Sequence, residues 1–157
     1  MTAQEVIQAL QLEPLTMEGG YFRRNYCSEK LTEDGKPMGT AIYYLMTPDS
    51  FSRLHKLPSD EVYHFYMGDP VELTVLFPNG TGKTVLLGND LTKGMLPQFC
   101  VPAHSWQGSC LAQGGAWALL GTTMAPGFVD ADFIPAQREE LLQIYKEFRE
   151  GIIALTP

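Results

Sequence analysis

The sequence predicts a mainly β protein, a sandwich or barrel of about eight to ten short strands with a helix at each end. Three observations carry this. Between residues 20 and 124, short runs of apolar and aromatic residues, several alternating with polar ones, are separated by turn signals such as Asn79-Gly80 and Gly114-Gly115. Helical periodicity is confined to the two ends. The 157 residues fit a single domain over 1–157, long enough to bury a substantial core.

Taken in order, Thr2-x-x-Glu5 forms a capping box, and Ala3, Val6, Ile7 and Leu10 then share one helical face before Pro14 stops the helix. The aromatic run 19–29 suits a strand opened by Gly19-Gly20, and 32–37 is a polar loop. Residues 40–47 are apolar on both faces, as expected of a strand covered on both sides. In 51–57, Arg53, His55 and Leu57 recur at period two; Pro58-Ser59-Asp60 is a turn; and 61–67 sets Glu61, Tyr63 and Phe65 against Val62, His64 and Tyr66. Strands follow at 71–77, 83–87, 98–101, 106–111 and 116–124, where Trp106 and Trp117 are expected to be buried. After Pro135, Leu141, Leu142, Tyr145 and Phe148 form one helical stripe behind the acidic start Glu139-Glu140.

Composition narrows the function. With 45% hydrophobic and 18% charged residues the chain reads as a soluble globular protein, and no apolar run approaches the length that spans a bilayer. The first ten residues lack the basic and apolar regions of a signal peptide, so a cytoplasmic location and no membrane partner are expected. A net charge of −7 argues against nucleic-acid binding. Cys27, Cys100 and Cys110 have no metal-type spacing and are expected to be reduced. No Gly-x-Ser-x-Gly elbow is present, and Gly80-Thr81-Gly82-Lys83-Thr84 lacks the spacing of a phosphate-binding loop.

The chemistry concentrates in 49–68, which holds two of the three histidines. If the faces bearing Arg53/His55 and Glu61/Tyr63 point the same way, a guanidinium, an imidazole, a carboxylate and a phenol converge. Such groups are costly to bury unless paired or used. His64 is out of phase with Glu61 and should face outward.

The spacing His55-x-Leu57-x3-Glu61-x6-Gly68 resembles the first cupin motif, G-x5-H-x-H-x3/4-E-x6-G, with Asp49 and Leu57 in the places of the first Gly and second His. Pro102-Ala103-His104-Ser105-Trp106-Gln107 resembles the second motif, with His104 in the place of Gly and Gln107 in that of the ligand His. The chain is more closely similar to the Cupin 5 family, small cupins of uncharacterised activity. That resemblance rests on Glu18-Gly19-Gly20-Tyr21-Phe22-Arg23, Thr40-Ala41-Ile42-Tyr43, Ser59-Asp60-Glu61 with His64-Phe65-Tyr66, Gly68-Asp69-Pro70, Val101-Pro102-Ala103 with Trp106-Gln107, and Ala125-Pro126-Gly127-Phe128. Departures are Thr16-Met17 in place of His-Pro, Arg24 in place of an acid, and His104 in place of Gly. The resemblance implies a jelly-roll barrel (double-stranded β-helix), open at one end, with a ligand cavity inside.

Three functions fit these residues. The first is binding of a small polar metabolite, such as a carbohydrate derivative, with isomerase or epimerase chemistry: His55 as base, Glu61 orienting it, Tyr63 as acid, Arg53 as anion clamp, and Gln107, Tyr43 and Trp106 contacting substrate. The second is a metal-dependent cupin with the incomplete ligand set His55, Glu61 and Gln107 around a divalent ion. The third is binding without catalysis. Two-sided apolar strands also predict a homodimer through an outer face that includes Ile42, Tyr44, His64 and Tyr66.

Overall fold

Strand-forming runs and turn residues resolve into two antiparallel sheets in the computed structural model, which describes all 157 residues. The elements are α1 (Ala3–Leu10), β1 (Glu13–Pro14), β2 (Tyr21–Cys27), β3 (Thr40–Met46), β4 (Ser52–Lys56), β5 (Glu61–Gly68), β6 (Val71–Leu76), β7 (Gly82–Leu87), β8 (Gln98–Val101), β9 (Trp106–Leu111), β10 (Ala118–Met124), β11 (Ile134–Pro135), α2 (Arg138–Ile144) and α3 (Arg149–Ala154). One sheet runs β1-β2-β3-β10-β5-β8 and the other β11-β4-β9-β6-β7. Most neighbours are distant in sequence, as in a jelly roll. No helix is long and apolar enough to cross a membrane.

The inner faces hold the main core, including Tyr44, Met46, Phe65, Leu73, Leu87 and Leu120. Cross-strand register stacks the inner side chains of the first sheet in rows. Thr40, Met124, Glu61 and Val101 form one row; Arg24, Ile42, Thr122, Tyr63 and Phe99 form the next; Phe22, Tyr44, Leu120 and Phe65 lie below. The carboxylate and the guanidinium of this sheet's inner face lie in the upper two rows, and the third is apolar apart from the Tyr44 hydroxyl.

Helices cover part of each outer face. α1, held by the reciprocal capping box of Thr2 and Glu5, lays Val6 against Leu45 and Leu119. α2 and α3 lay Leu141, Tyr145, Ile152 and Leu155 against Leu54 and Leu76 of the second sheet. Trp117, expected within a buried strand, precedes β10 and is half-buried in the α1 cluster, its indole N–H donating to the Met1 carbonyl at 3.1 Å.

The register of β3 corrects the expected outer face. Ile42 and Tyr44 turn inward, and Tyr43 turns outward to meet Tyr66 edge-on with ring centroids 6.3 Å apart. Alternation could not decide this, because both faces of β3 are apolar. Pairing with β2 and β10 sets the register, and the inward Tyr44 hydroxyl donates to the Gly19 carbonyl at 2.8 Å.

Candidate functional site

The site begins with an irregularity in β4. Ser52 pairs with Ser109 and His55 with Gln107, so three steps on β4 oppose two on β9. This bulge puts both Ser52 and His55 on the inner face and sends Leu54 out to the C-terminal helices. Arg53 falls within the bulge and does not line the cavity, so the expected Arg53/His55 parity fails.

His55 is almost fully buried, its ring stacked on Phe133 with centroids 4.9 Å apart. Nδ1 lies 2.7 Å from the Arg53 carbonyl, which can only accept. That contact assigns the proton to Nδ1 and leaves Nε2 as an acceptor. Burial pushes the imidazole pKa down, opposed by the Glu61 charge and the Arg53 hydrogen bond. The ring is therefore held neutral.

Glu61 is 7% exposed, and its Oε2 has no hydrogen-bond partner. Burial, reinforced by the Glu18 charge, raises its pKa to about 7, against opposing effects of His55, Thr122 and Gln107. Thr122 and Gln107 are near enough to favour the carboxylate, yet neither satisfies Oε2. Gln107 Oε1 accepts instead from the Tyr63 hydroxyl at 2.8 Å. Burial, followed by the Glu61 charge, holds the Tyr63 phenol well above its ordinary range.

Glu18 is the residue that sequence reasoning missed. Its carboxyl accepts a hydrogen bond from Ser52 and turns into the barrel, where burial raises its pKa to about 7. Gly19 and Gly20, at φ of 115° and 73°, form the turn that aims it. A Cβ on Gly19 would sit 2.1 Å from the Phe51 carbonyl oxygen, so the backbone closes where a side chain cannot fit. The available signal was an acid directly before a Gly pair ahead of a strand.

Above these groups lies a cavity of about 640 Å³. Its walls come from residues 13–18, Phe22, Arg23 and Arg24 of β2, Thr40 and Ile42 of β3, Leu57, Glu61, Thr122 and Met124 of β10, and Phe128 and Asp130. Among the predicted residues, Glu61 lines it, while His55, Tyr63 and Gln107 are packed inside the barrel. Tyr43 packs with the α1 cluster and Trp106 with the C-terminal helices, Trp106 under the Lys56 ammonium at 4.6 Å. Their expected substrate contacts are thereby corrected: each lies one residue out of phase with an inward neighbour, Tyr44 or Gln107.

The donor set does not suit a divalent ion. No cluster of three or more His, Cys, Asp or Glu side chains is placed to hold one. His55 and Glu61 supply two donors, and the Gln107 carbonyl is taken by Tyr63.

A two-sheet jelly roll with its polar groups gathered at one end of the interior defines a cupin. The profile described as Cupin superfamily (DUF985), Cupin_5, matches residues 4–135, and the chain belongs to that family. It is similar in structure to a hypothetical protein from Leishmania major (31% identity, TM-score 0.90, 99% of each chain covered). It is likewise similar to protein SO0799 from Shewanella oneidensis (32% identity, TM-score 0.92, covering 100% of this chain and 98% of that one). An uncharacterized Saccharomyces cerevisiae protein, YML079W, is 28% identical over 71% of this chain, and the match spans 64% of the yeast protein's length. Bacillus subtilis oxalate decarboxylase shares the fold alone, at 14% identity and TM-score 0.57 over 88% of this chain and 36% of that one.

Proposed function

We propose that the cavity holds a small polar metabolite of the size of a carbohydrate derivative, and that Glu61 exchanges a proton with it. The observation that carries this is Glu61, which lines the cavity and has a buried carboxyl oxygen, Oε2, without a hydrogen-bond partner. A carboxyl group with a pKa near neutrality gives and takes protons readily. The geometry favours a different division of roles from His55 as base and Tyr63 as acid. Glu61 reaches the cavity, while His55 is buried inside the barrel, and the Tyr63 hydroxyl is committed to Gln107. Glu18, from a different wall, supplies a second carboxyl poised near 7. In an epimerase-like step, ionised Glu61 takes a C–H proton next to a carbonyl, and protonated Glu18 delivers one to the other face of the enolate. The proton left on Glu61 then returns to Glu18 through solvent.

A thermal-shift screen of keto-sugars, aldoses and hydroxy acids, followed by NMR of each binder in D2O, tests this. Exchange of one C–H for deuterium is expected, falling about 100-fold or more in Glu61→Gln. Wild-type exchange in that variant would remove Glu61 from the chemistry; binding with no exchange in any variant would make the cavity a binding site alone.

The outer face of the first sheet supports a second proposal, a two-fold homodimer. With Ile42 and Tyr44 turned inward, the uncovered apolar surface there consists of Tyr26, Tyr66 and Met67, 55%, 45% and 44% exposed, beside His64. Light scattering at micromolar concentration is expected to give about twice the 17.5 kDa of one chain, and a single-chain mass overturns the proposal.

A further inference from the structure

We infer that the ligand is a hydroxylated monofunctional oxyanion, its carboxylate or phosphate held by Arg24 at the cavity mouth and a hydroxyl donating to Glu61 deeper in. This rests on reading the cavity as a metabolite site, and adds what that metabolite must carry. Arg24 lies on the inner side of β2, in the row that continues through Ile42 and Thr122 to Tyr63. Its Nη2 donates to the Phe128 carbonyl at 3.1 Å, which steadies one edge of the guanidinium. The remaining N–H groups have no protein partner.

What sets Arg24 apart is its place on the cavity wall. Acidic residues outnumber basic ones by 18 to 11, yet the ion pairs are Lys36–Asp132 and Lys93–Asp90, and no carboxylate comes within 4 Å of Arg24. Arg23, the other guanidinium on the wall, is bound through Nη1 to the Leu10 carbonyl and Gln11 Oε1. Arg24 thus keeps the free N–H groups that bind an oxyanion in a bidentate fork. At the other end, Glu61 Oε2 needs a donor that the protein does not supply, and an O–H provides one.

The remaining charges on the wall restrict the ligand further. Glu13, Glu18, Glu61 and Asp130 all line the cavity, so a second anionic group would face acidic side chains once away from Arg24 and its neighbour Arg23. Dicarboxylates are therefore disfavoured. Phe22, Ile42, Met124 and Phe128 offer apolar surface for the C–H faces of the carbon skeleton.

Calorimetric titration with four six-carbon probes separates the parts: gluconate, glucose 6-phosphate, sorbitol as the neutral polyol, and hexanoate as the anion without hydroxyls. Gluconate or glucose 6-phosphate is expected to bind at least about tenfold more tightly than sorbitol and hexanoate. The larger gain tells carboxylate from phosphate. Arg24→Gln, at an exposed position that should leave folding intact, is expected to erase that preference without changing sorbitol binding, whereas Glu61→Gln weakens sorbitol as well. Equal binding of charged and neutral polyols that still depends on Glu61 overturns the oxyanion and leaves the metabolite cavity standing. No binding by any probe up to its solubility limit overturns both.

Discussion

Glu61→Gln is expected to raise the melting temperature at pH 8 and to leave it nearly unchanged at pH 4. Glu61 titrates near 7 in the folded chain against an ordinary 4.5. Its folded value is raised, so its contribution to stability is fully present below pH 4.5 and is lost as pH rises from 4.5 through 7. Above that window the folded protein carries a buried carboxylate that the amide replaces with a neutral group of the same shape. The shift corresponds to about 3 kcal/mol, or on the order of 5–10 °C for a chain of this size. His55 works in the opposite direction: its depressed pKa costs stability as pH falls below 6.5. At pH 4 the side chain at position 61 is neutral in both folded proteins, so the His55 contribution cancels in the comparison. Melting curves across this range check the expectation, and a variant less stable than the parent at pH 8 would show that Glu61 is held as a charge by contacts the structure lacks.

Gly19→Ala is expected to destabilise by about 3–5 kcal/mol. Two costs combine. At φ 115° an L side chain is strained, and the new Cβ would lie 2.1 Å from the Phe51 carbonyl oxygen, a backbone atom that cannot swing away. Relief means moving the turn, which also carries the Tyr44 hydrogen bond and the Glu18 carboxyl. Gly35→Ala is the control: at φ 83° it has the same type of backbone strain but nothing within 4 Å of the added carbon, so about 1–2 kcal/mol is expected. Denaturant titrations that give equal losses for the two would remove the Phe51 clash as the cause.

The β architecture, the helices at both ends and the inward set Glu61, Tyr63 and Phe65 were legible in the chain. These are local signals: alternation with one clearly polar face, turn dipeptides with a single favoured geometry, and a capping box whose two hydrogen bonds span three residues. Where those signals were absent, contacts between distant segments set the outcome. β3 is apolar on both faces, so its facing came from pairing with β2 and β10 and from contacts such as the Tyr44 hydrogen bond to Gly19, a partner 25 residues away. The β4 bulge depends on pairing with β9 and leaves no mark in β4 itself; it separated His55 from Arg53. Glu18 and Arg24 carried no site signal, since each entered only through the family resemblance. Barrel closure brings Glu18 and Arg24 to one cavity with Glu61, and a charge's role depends on what surrounds it in space, which spacing along the chain does not encode.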